Sequence, residues 1–269
     1  MKNFESSYQE NKNKEIFQKK LEVLNLVKNE LEKSSEILSA KIYGSWLYSE
    51  KSIDLDICTI VPSQNSIVDS DVYLSLKELK ERLNKGTNQD IDLVPHTEDE
   101  LNDKRSTLYN PRYNPSLVDG KDIKGELKIE PIFDKENKFG FEDLAAYVLL
   151  DNRTICRRQL IRSLNPNETK IFISKILHGP GNALTYHACK NKEKYIATPS
   201  NIKESLELFD ETYKLNSKPA EIFLKECRKN FNFGKAAKLI MWYEHLVSKV
   251  LYEKEGYNDF CIKLAKENL

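Results

Sequence analysis

Two short acidic motifs carry most of the chemistry in this sequence. The first lies in Lys41-Ile-Tyr-Gly-Ser-Trp-Leu-Tyr-Ser-Glu-Lys-Ser-Ile-Asp54-Leu-Asp56-Ile-Cys-Thr-Ile-Val-Pro62, which reads as strand, Gly-Ser turn, polar connector and second strand. Alternate residues of a strand point the same way, so Asp54 and Asp56 project together. Two carboxylates held that close repel unless they are neutralised, and a divalent cation is the usual solution. Hard oxygen ligands suit Mg²⁺ or Mn²⁺, with phosphate oxygens and water completing the shell. A second Asp-x-Asp, Asp90-Ile-Asp92, opens the next strand. If that strand lies beside the previous one, one of its carboxylates joins the first pair. Three carboxylates can hold two metals about 3.5–4 Å apart, the arrangement that serves phosphoryl and nucleotidyl transfer. Upstream, Gly44 lets the backbone approach a phosphate, and Ser45 offers it a hydroxyl and an N–H.

On Gly44-Ser45, Asp54-x-Asp56 on the following strand, Asp92 on a later one and a long helix in front, the sequence resembles the DNA-polymerase-β-like nucleotidyltransferase superfamily. The resemblance covers roughly residues 12–96. It implies that Asp54, Asp56 and Asp92 are the catalytic carboxylates and metal ligands. Gly44 and Ser45 would hold the triphosphate. The implied fold is a small mixed sheet flanked by helices. With an all-helical second half, the chain is similar to small members such as aminoglycoside nucleotidyltransferases and the minimal nucleotidyltransferases of toxin–antitoxin pairs. Here eight residues separate Ser45 from Asp54, and Trp46-Leu47-Tyr48 follows the Gly-Ser pair in place of small and basic residues. Lys51, or a cation from the helical half, would supply the positive charge. The implied reaction moves a nucleoside monophosphate from an NTP, expected to be ATP, onto an acceptor hydroxyl and releases pyrophosphate. A small molecule, a protein side chain or a tRNA end are open as acceptors. The alternative is a weakly active or inactive interaction protein of the same fold, such as an antitoxin.

The helical half holds a second set of candidates. In Asp151-Asn-Arg153-Thr-Ile-Cys-Arg157-Arg158-Gln-Leu-Ile-Arg162, helical spacing pairs Arg153 with Arg157 and Arg158 with Arg162. Such faces either meet a triphosphate, with Arg157 a nucleotide-binding residue, or pair with acids of the first half. Glu142, Asp143 and Asp151 are each a helix-start acid or a general base. His178-Gly-Pro-Gly181 is expected to separate two helices, with Asn182 as cap, or to line substrate. His96 is a loop residue or touches the site. Trp46 and Tyr48 either stack on a base or pack beneath the connector.

The elements that must position these residues follow from periodicity. Helices are expected over Asn11–Lys33, Val72–Asn84 and Glu98–Thr107, and strands over Ile37–Tyr43, Leu55–Val61 and Ile91–Val94, the last two stopped by Pro62 and Pro95. Residues 109–134 read as irregular. Helices then follow over Phe141–Ser163, Glu168–Leu177, Asn182–Lys192, Asn201–Lys214, Pro219–Lys229, Gly234–Glu253 and Asp259–Glu267. The expected class is α+β, with a nucleotidyltransferase domain over residues 1–137 and a helical acceptor-binding domain over 138–269.

Composition bounds the partners. Lys plus Arg number 42 and Asp plus Glu number 42, so the net charge is zero. That excludes a polycation that coats nucleic acid along its length, although a tRNA remains possible. Residues 141–269 contain 21 basic and 16 acidic side chains, a net of +5, which leaves −5 for the first 140. The polar N-terminus lacks an apolar signal core, and no apolar run approaches the ~20 residues of a membrane span. Five scattered cysteines without a CxxC pair fit free thiols and argue against a zinc site. The expected location is the cytoplasm, with no membrane partner and the oligomeric state open.

Overall fold

The structure is a computed structural model, and it describes residues 2–49, 52, 54–132, 140–162, 166–192, 202–229 and 231–266. The chain is α+β. It begins with α1 (Lys2–Lys33), β1 (Ser39–Tyr43), β2 (Asp54–Ile60), α2 (Ser70–Thr87), β3 (Asp90–His96), α3 (Glu98–Asn102), α4 (Asn114–Val118) and β4 (Lys121–Lys124). The helices α5 (Phe141–Ile161), α6 (Pro166–Leu177), α7 (Gly179–Asn191), α8 (Ile202–Tyr213), α9 (Lys218–Lys229), α10 (Phe233–Tyr252) and α11 (Tyr257–Lys266) complete it. Among the described residues, no helix is long and apolar enough to cross a membrane.

The four strands form one mixed sheet in the order β3-β2-β1-β4. β1 is antiparallel to β2 and β4, whereas β2 and β3 run parallel with α2 as their crossover. Strand alternation sorts the side chains. Ala40, Ile42, Leu55, Ile57, Ile91 and Leu93 are buried in the main core with Val27 and Leu31 of α1 and Leu76, Leu79 and Leu83 of α2. The opposite face carries Cys58 and Ile60, which pack beneath Leu108, Tyr109, Leu117, Leu127 and Ile129. Further along that same face stand Asp54, Asp56, Asp90 and Asp92.

Among the described residues, the helical half shares its buried cluster with the sheet. Leu149 and Leu150 of α5, Phe172 of α6 and Trp242 and Leu246 of α10 belong to the same buried cluster as the sheet and α2. The expected boundary between residues 137 and 138 falls in 133–139, outside the described residues.

Three local differences from sequence expectation have physical causes. β3 continues through Pro95 to His96 and pairs in register, Thr59 with Pro95 and Ile60 with His96. The His96 carbonyl accepts from Val61 N at 2.9 Å, so residue 96 faces β2 and Pro95 faces the outer edge, where its missing N–H breaks no ladder bond. Within 109–134, expected to be irregular, Asn114–Val118 forms a short helix with Pro115 in its first turn, and Lys121–Lys124 pairs with β1. Finally, α7 starts at Gly179, before Asn182, because Pro180 is tolerated in a first turn.

Gly179 also lets α7 approach α10. A Cβ there would lie 2.6 Å from the ring of the buried Tyr243, whose hydroxyl donates to Leu149 O at 3.1 Å. Gly179→Ala is therefore expected to cost about 1–3 kcal/mol in urea unfolding through overpacking. Gly234→Ala, with its nearest neighbour at 3.6 Å, is expected to be neutral or stabilising.

Candidate active site

Strand register assembles the site. Tyr43 pairs with Asp56 across β1–β2, and Asp56 pairs with Asp92 across β2–β3. Gly44 directly follows Tyr43 and adopts φ 82° and ψ −164°. A Cβ on Gly44 would stand 3.1 Å from Asp56 Oδ2. Glycine is thus required both for backbone conformation and for close approach. Ser45 begins a 3-10 turn over Ser45–Leu47, and its hydroxyl shares a 2.9 Å hydrogen bond with Ser52, which in turn donates to Asp54 O at 3.3 Å. Trp46 is buried under this turn with Lys20 Nζ 4.7 Å from its ring centroid, so it packs rather than offering a face to a base. Tyr48 is 69% exposed, and its hydroxyl donates to Asp119 O at 3.3 Å. Lys51 lies outside the described residues.

The carboxylates are not left bare. Asp92 is 2% exposed and receives both arginines of one α5 face. Arg162 Nε donates to its Oδ1 at 3.0 Å, and Arg162 Nη2 is ion-paired with Oδ2 at 3.0 Å. Arg158 Nη2 also contacts Asp92 Oδ2 and lies 4.0 Å from Asp56 Oδ1. Burial, reinforced by the charge of Asp92, raises the Asp56 carboxyl above its ordinary range, and Arg158 opposes this. Burial also pushes the Tyr43 phenol well up, with Asp56 and Asp92 adding to the effect. Asp54 is exposed at the strand start. Asp90 turns to Lys80, 3.3 Å away. Among the described residues, no group of three or more His, Cys, Asp or Glu side chains is gathered closely enough to hold a metal ion. The sequence expected a trio, whereas the structure brings Asp56 and Asp92 together around Arg158.

Arg157 requires a correction. It is fully buried, and its guanidinium is spent on partners other than the candidate carboxylates. Its Nη1 donates to Glu100 Oε2 at 2.6 Å and its Nε to Glu244 Oε1 at 2.8 Å and to Tyr73 at 3.1 Å. Arg153 Nη2 reaches Glu100 Oε1 at 3.0 Å. Burial alone would raise the Glu100 carboxyl, but the two guanidinium charges outweigh it and hold that carboxyl well below the usual range. Arg157 therefore has no path to a triphosphate. Of the two outcomes open for this helix, Arg153 and Arg157 pair with the first half, while Arg158 and Arg162 reach the candidate site. Sequence reading missed Glu100 and Glu244, although Glu244 interrupts an apolar stripe with Ile240, Tyr243 and Val247, the one signal that could have marked it.

A cavity of about 220 Å³ adjoins Arg158, walled by Tyr43, Tyr113, Thr154, His96 and Asp151. Asp151 is raised by burial and accepts from Tyr147 at 3.4 Å. The other two acids of the helical half are engaged elsewhere: Asp143 accepts from Gly140 N at 2.9 Å and Glu142 from Tyr186 at 3.3 Å. His178-Gly-Pro-Gly181 serves the contact of α7 with α10.

Comparisons with known protein families, curated proteins and solved structures find no match to this chain.

Two outcomes follow from this geometry. Gly44→Ala places a methyl against Asp56 in a left-handed conformation, and it is expected to lower stability by about 1 kcal/mol or more in urea unfolding. His96, whose Nδ1 lies 3.8 Å from Glu100 Oε2, is held neutral by burial, with its pKa lowered from 6.5 to about 4. Between those values the unfolded chain binds more protons, so stability falls as pH drops from 6.5 toward 4, by up to about 3 kcal/mol from this residue. His245, also lowered to about 4, acts in the same direction. Urea midpoints at several pH values should show the slope, and His96→Asn should flatten it in part. An unchanged slope would remove His96 as its source.

Proposed function

We propose that this chain is a metal-dependent nucleotidyltransferase that uses an NTP, ATP by preference, and Mg²⁺ or Mn²⁺. The observation that carries the reading is the pairing of Asp56 with Asp92 on adjacent parallel strands, with the Gly44-Ser45 turn seated against Asp56. The donor set fits a hard divalent cation: the two carboxylates already share one positive charge, Arg158. A bound cation would supply charge neutralisation at the transferred phosphoryl group and acidify a nearby hydroxyl.

The protein's own groups would divide the remaining work. Asp56 and Asp92 would hold the cation, with Asp54 exposed at the same strand start. Gly44 brings backbone close to phosphate, and Ser45 gives it a hydrogen bond. Arg158 and Arg162 replace Arg157 as the phosphate-facing cations. In the transfer, the acceptor oxygen loses its proton and bonds to the α-phosphorus while the α–β phosphoanhydride bond breaks and pyrophosphate leaves. The cavity beside Arg158 is smaller than a typical ligand pocket of ~300–1,000 Å³, so it suits the hydroxyl-bearing end of an acceptor rather than a whole large molecule. Asp151 at its wall is the acid of the helical half placed to meet that end.

A weakly active or inactive interaction protein of the same fold is the second reading. It is favoured by the saturation of Asp92 with two guanidinium groups. Incubation with each α-labelled NTP, Mg²⁺ and a panel of acceptors separates the two. Pyrophosphate release or label transfer that falls at least about a hundredfold in Asp56→Ala supports the enzyme. No turnover and no metal-dependent NTP binding supports the interaction protein.

A further inference from the structure

Arg158 and Arg162 stand against the carboxylates where a cation would sit in the candidate site. Arg162 donates to Asp92 Oδ1, Arg158 Nη2 is ion-paired with Asp92 Oδ2, and Arg158 Nη2 is 4.0 Å from Asp56. A divalent ion seeking the same carboxylate oxygens meets two like charges already in place. Their removal requires a better partner. A triphosphate is such a partner, because a guanidinium grips phosphate oxygens bidentately.

The two arginines lie partly open to solvent. Their side chains are 39% and 36% exposed, whereas Arg153 and Arg157 on the adjoining face are fully buried. Arg162 is the C-cap of α5, with φ −74° and ψ 148°, so its swing disturbs no helical turn beyond it.

We propose that Arg158 and Arg162 form an exchangeable guanidinium lock that makes metal binding depend on nucleotide. It rests on the nucleotidyl-transfer reading of the same site. In the free protein the arginines neutralise Asp92 and exclude the divalent ion. When a nucleoside triphosphate arrives, its phosphates take the arginines and the freed Asp92 joins Asp56 on the ion. Metal and nucleotide therefore enter together, and neither binds well alone. Both arginines act through Asp92 and the phosphates, which makes them positioning and specificity residues.

Mn²⁺ binding to the full chain, followed by electron paramagnetic resonance of the free ion, tests this without turnover. The wild type is expected to bind Mn²⁺ weakly alone and at least about tenfold more tightly with a non-hydrolysable α,β-methylene NTP analogue. Arg158→Gln/Arg162→Gln should bind Mn²⁺ alone about tenfold more tightly than the wild type, with little further gain from the analogue. Arg158→Lys/Arg162→Lys, which keeps the charge but loses the fork, should move the same way by less, and it serves if the glutamine pair fails to fold. Adding Asp92→Asn should abolish the gain.

A double variant that binds Mn²⁺ no more tightly than the wild type overturns the lock. If the wild type then still binds the analogue only with metal, the nucleotidyltransferase reading survives that failure. Tighter Mn²⁺ binding in the double variant, with no analogue bound by either protein, upholds the metal exclusion and instead removes the nucleotidyltransferase reading. A gain that persists with Asp92→Asn places the ion elsewhere and overturns the lock.

Discussion

Two arginines one turn apart on α5 are withdrawn completely from water, and their ion pairs tie α5 to α3 and α10. Arg153 and Arg157 share Glu100 of α3, and Arg157 also takes Glu244 of α10 beside Tyr73 of α2. Compared with a well-packed apolar cluster, such a network adds little net stability. Its force is in what it forbids: a buried charge without its partner costs about 3–5 kcal/mol. If α5 were shifted by one turn, several charges would be stranded at once. Glu244 is tied further by Val68 N at 2.5 Å, which fixes the segment before α2 as well. The network therefore sets the register of α5 against the sheet.

That register is what brings function into reach. Successive residues on a helix are turned by about 100°, so residue 158 faces the sheet once residue 157 is locked into the core. Arg158 and Arg162 then arrive at Asp92. At this line of contact, basic side chains of the second half meet acids of the first. The charges that meet are few and specific: two guanidinium groups on one buried aspartate, with Asp56 alongside.

Much of this could be read from the sequence, and the limits have physical causes. That Asp54 and Asp56 share a face, and Asp90 and Asp92 another stretch of it, was legible because strand alternation is strict and local. Gly44 was legible as a turn glycine that needs a close approach, but the group it approaches in the structure, Asp56, was not. The choice between Arg157 and Arg158 was not legible, since it depends on Glu100 and Glu244, which lie far away in sequence and are brought near only by the fold. The short α4 and β4 were hidden by prolines and glycines that usually mark loops; pairing with β1 gave Lys121–Lys124 its extended form. The start of α7 was obscured for a similar reason, because Gly-Pro-Gly reads as a break until Tyr243 is seen to need the space.

The proline in β3 has one more consequence. β3 is the outermost strand on its side of the sheet, where unpaired backbone groups ordinarily invite another chain to add a strand. At Pro95 the outward donor is missing, and the carbonyl accepts from Arg157 Nη1 at 3.5 Å. The residue that looked like a strand terminator instead blunts this margin against self-association. The same arginine that anchors α5 thus helps keep the sheet from templating growth between molecules.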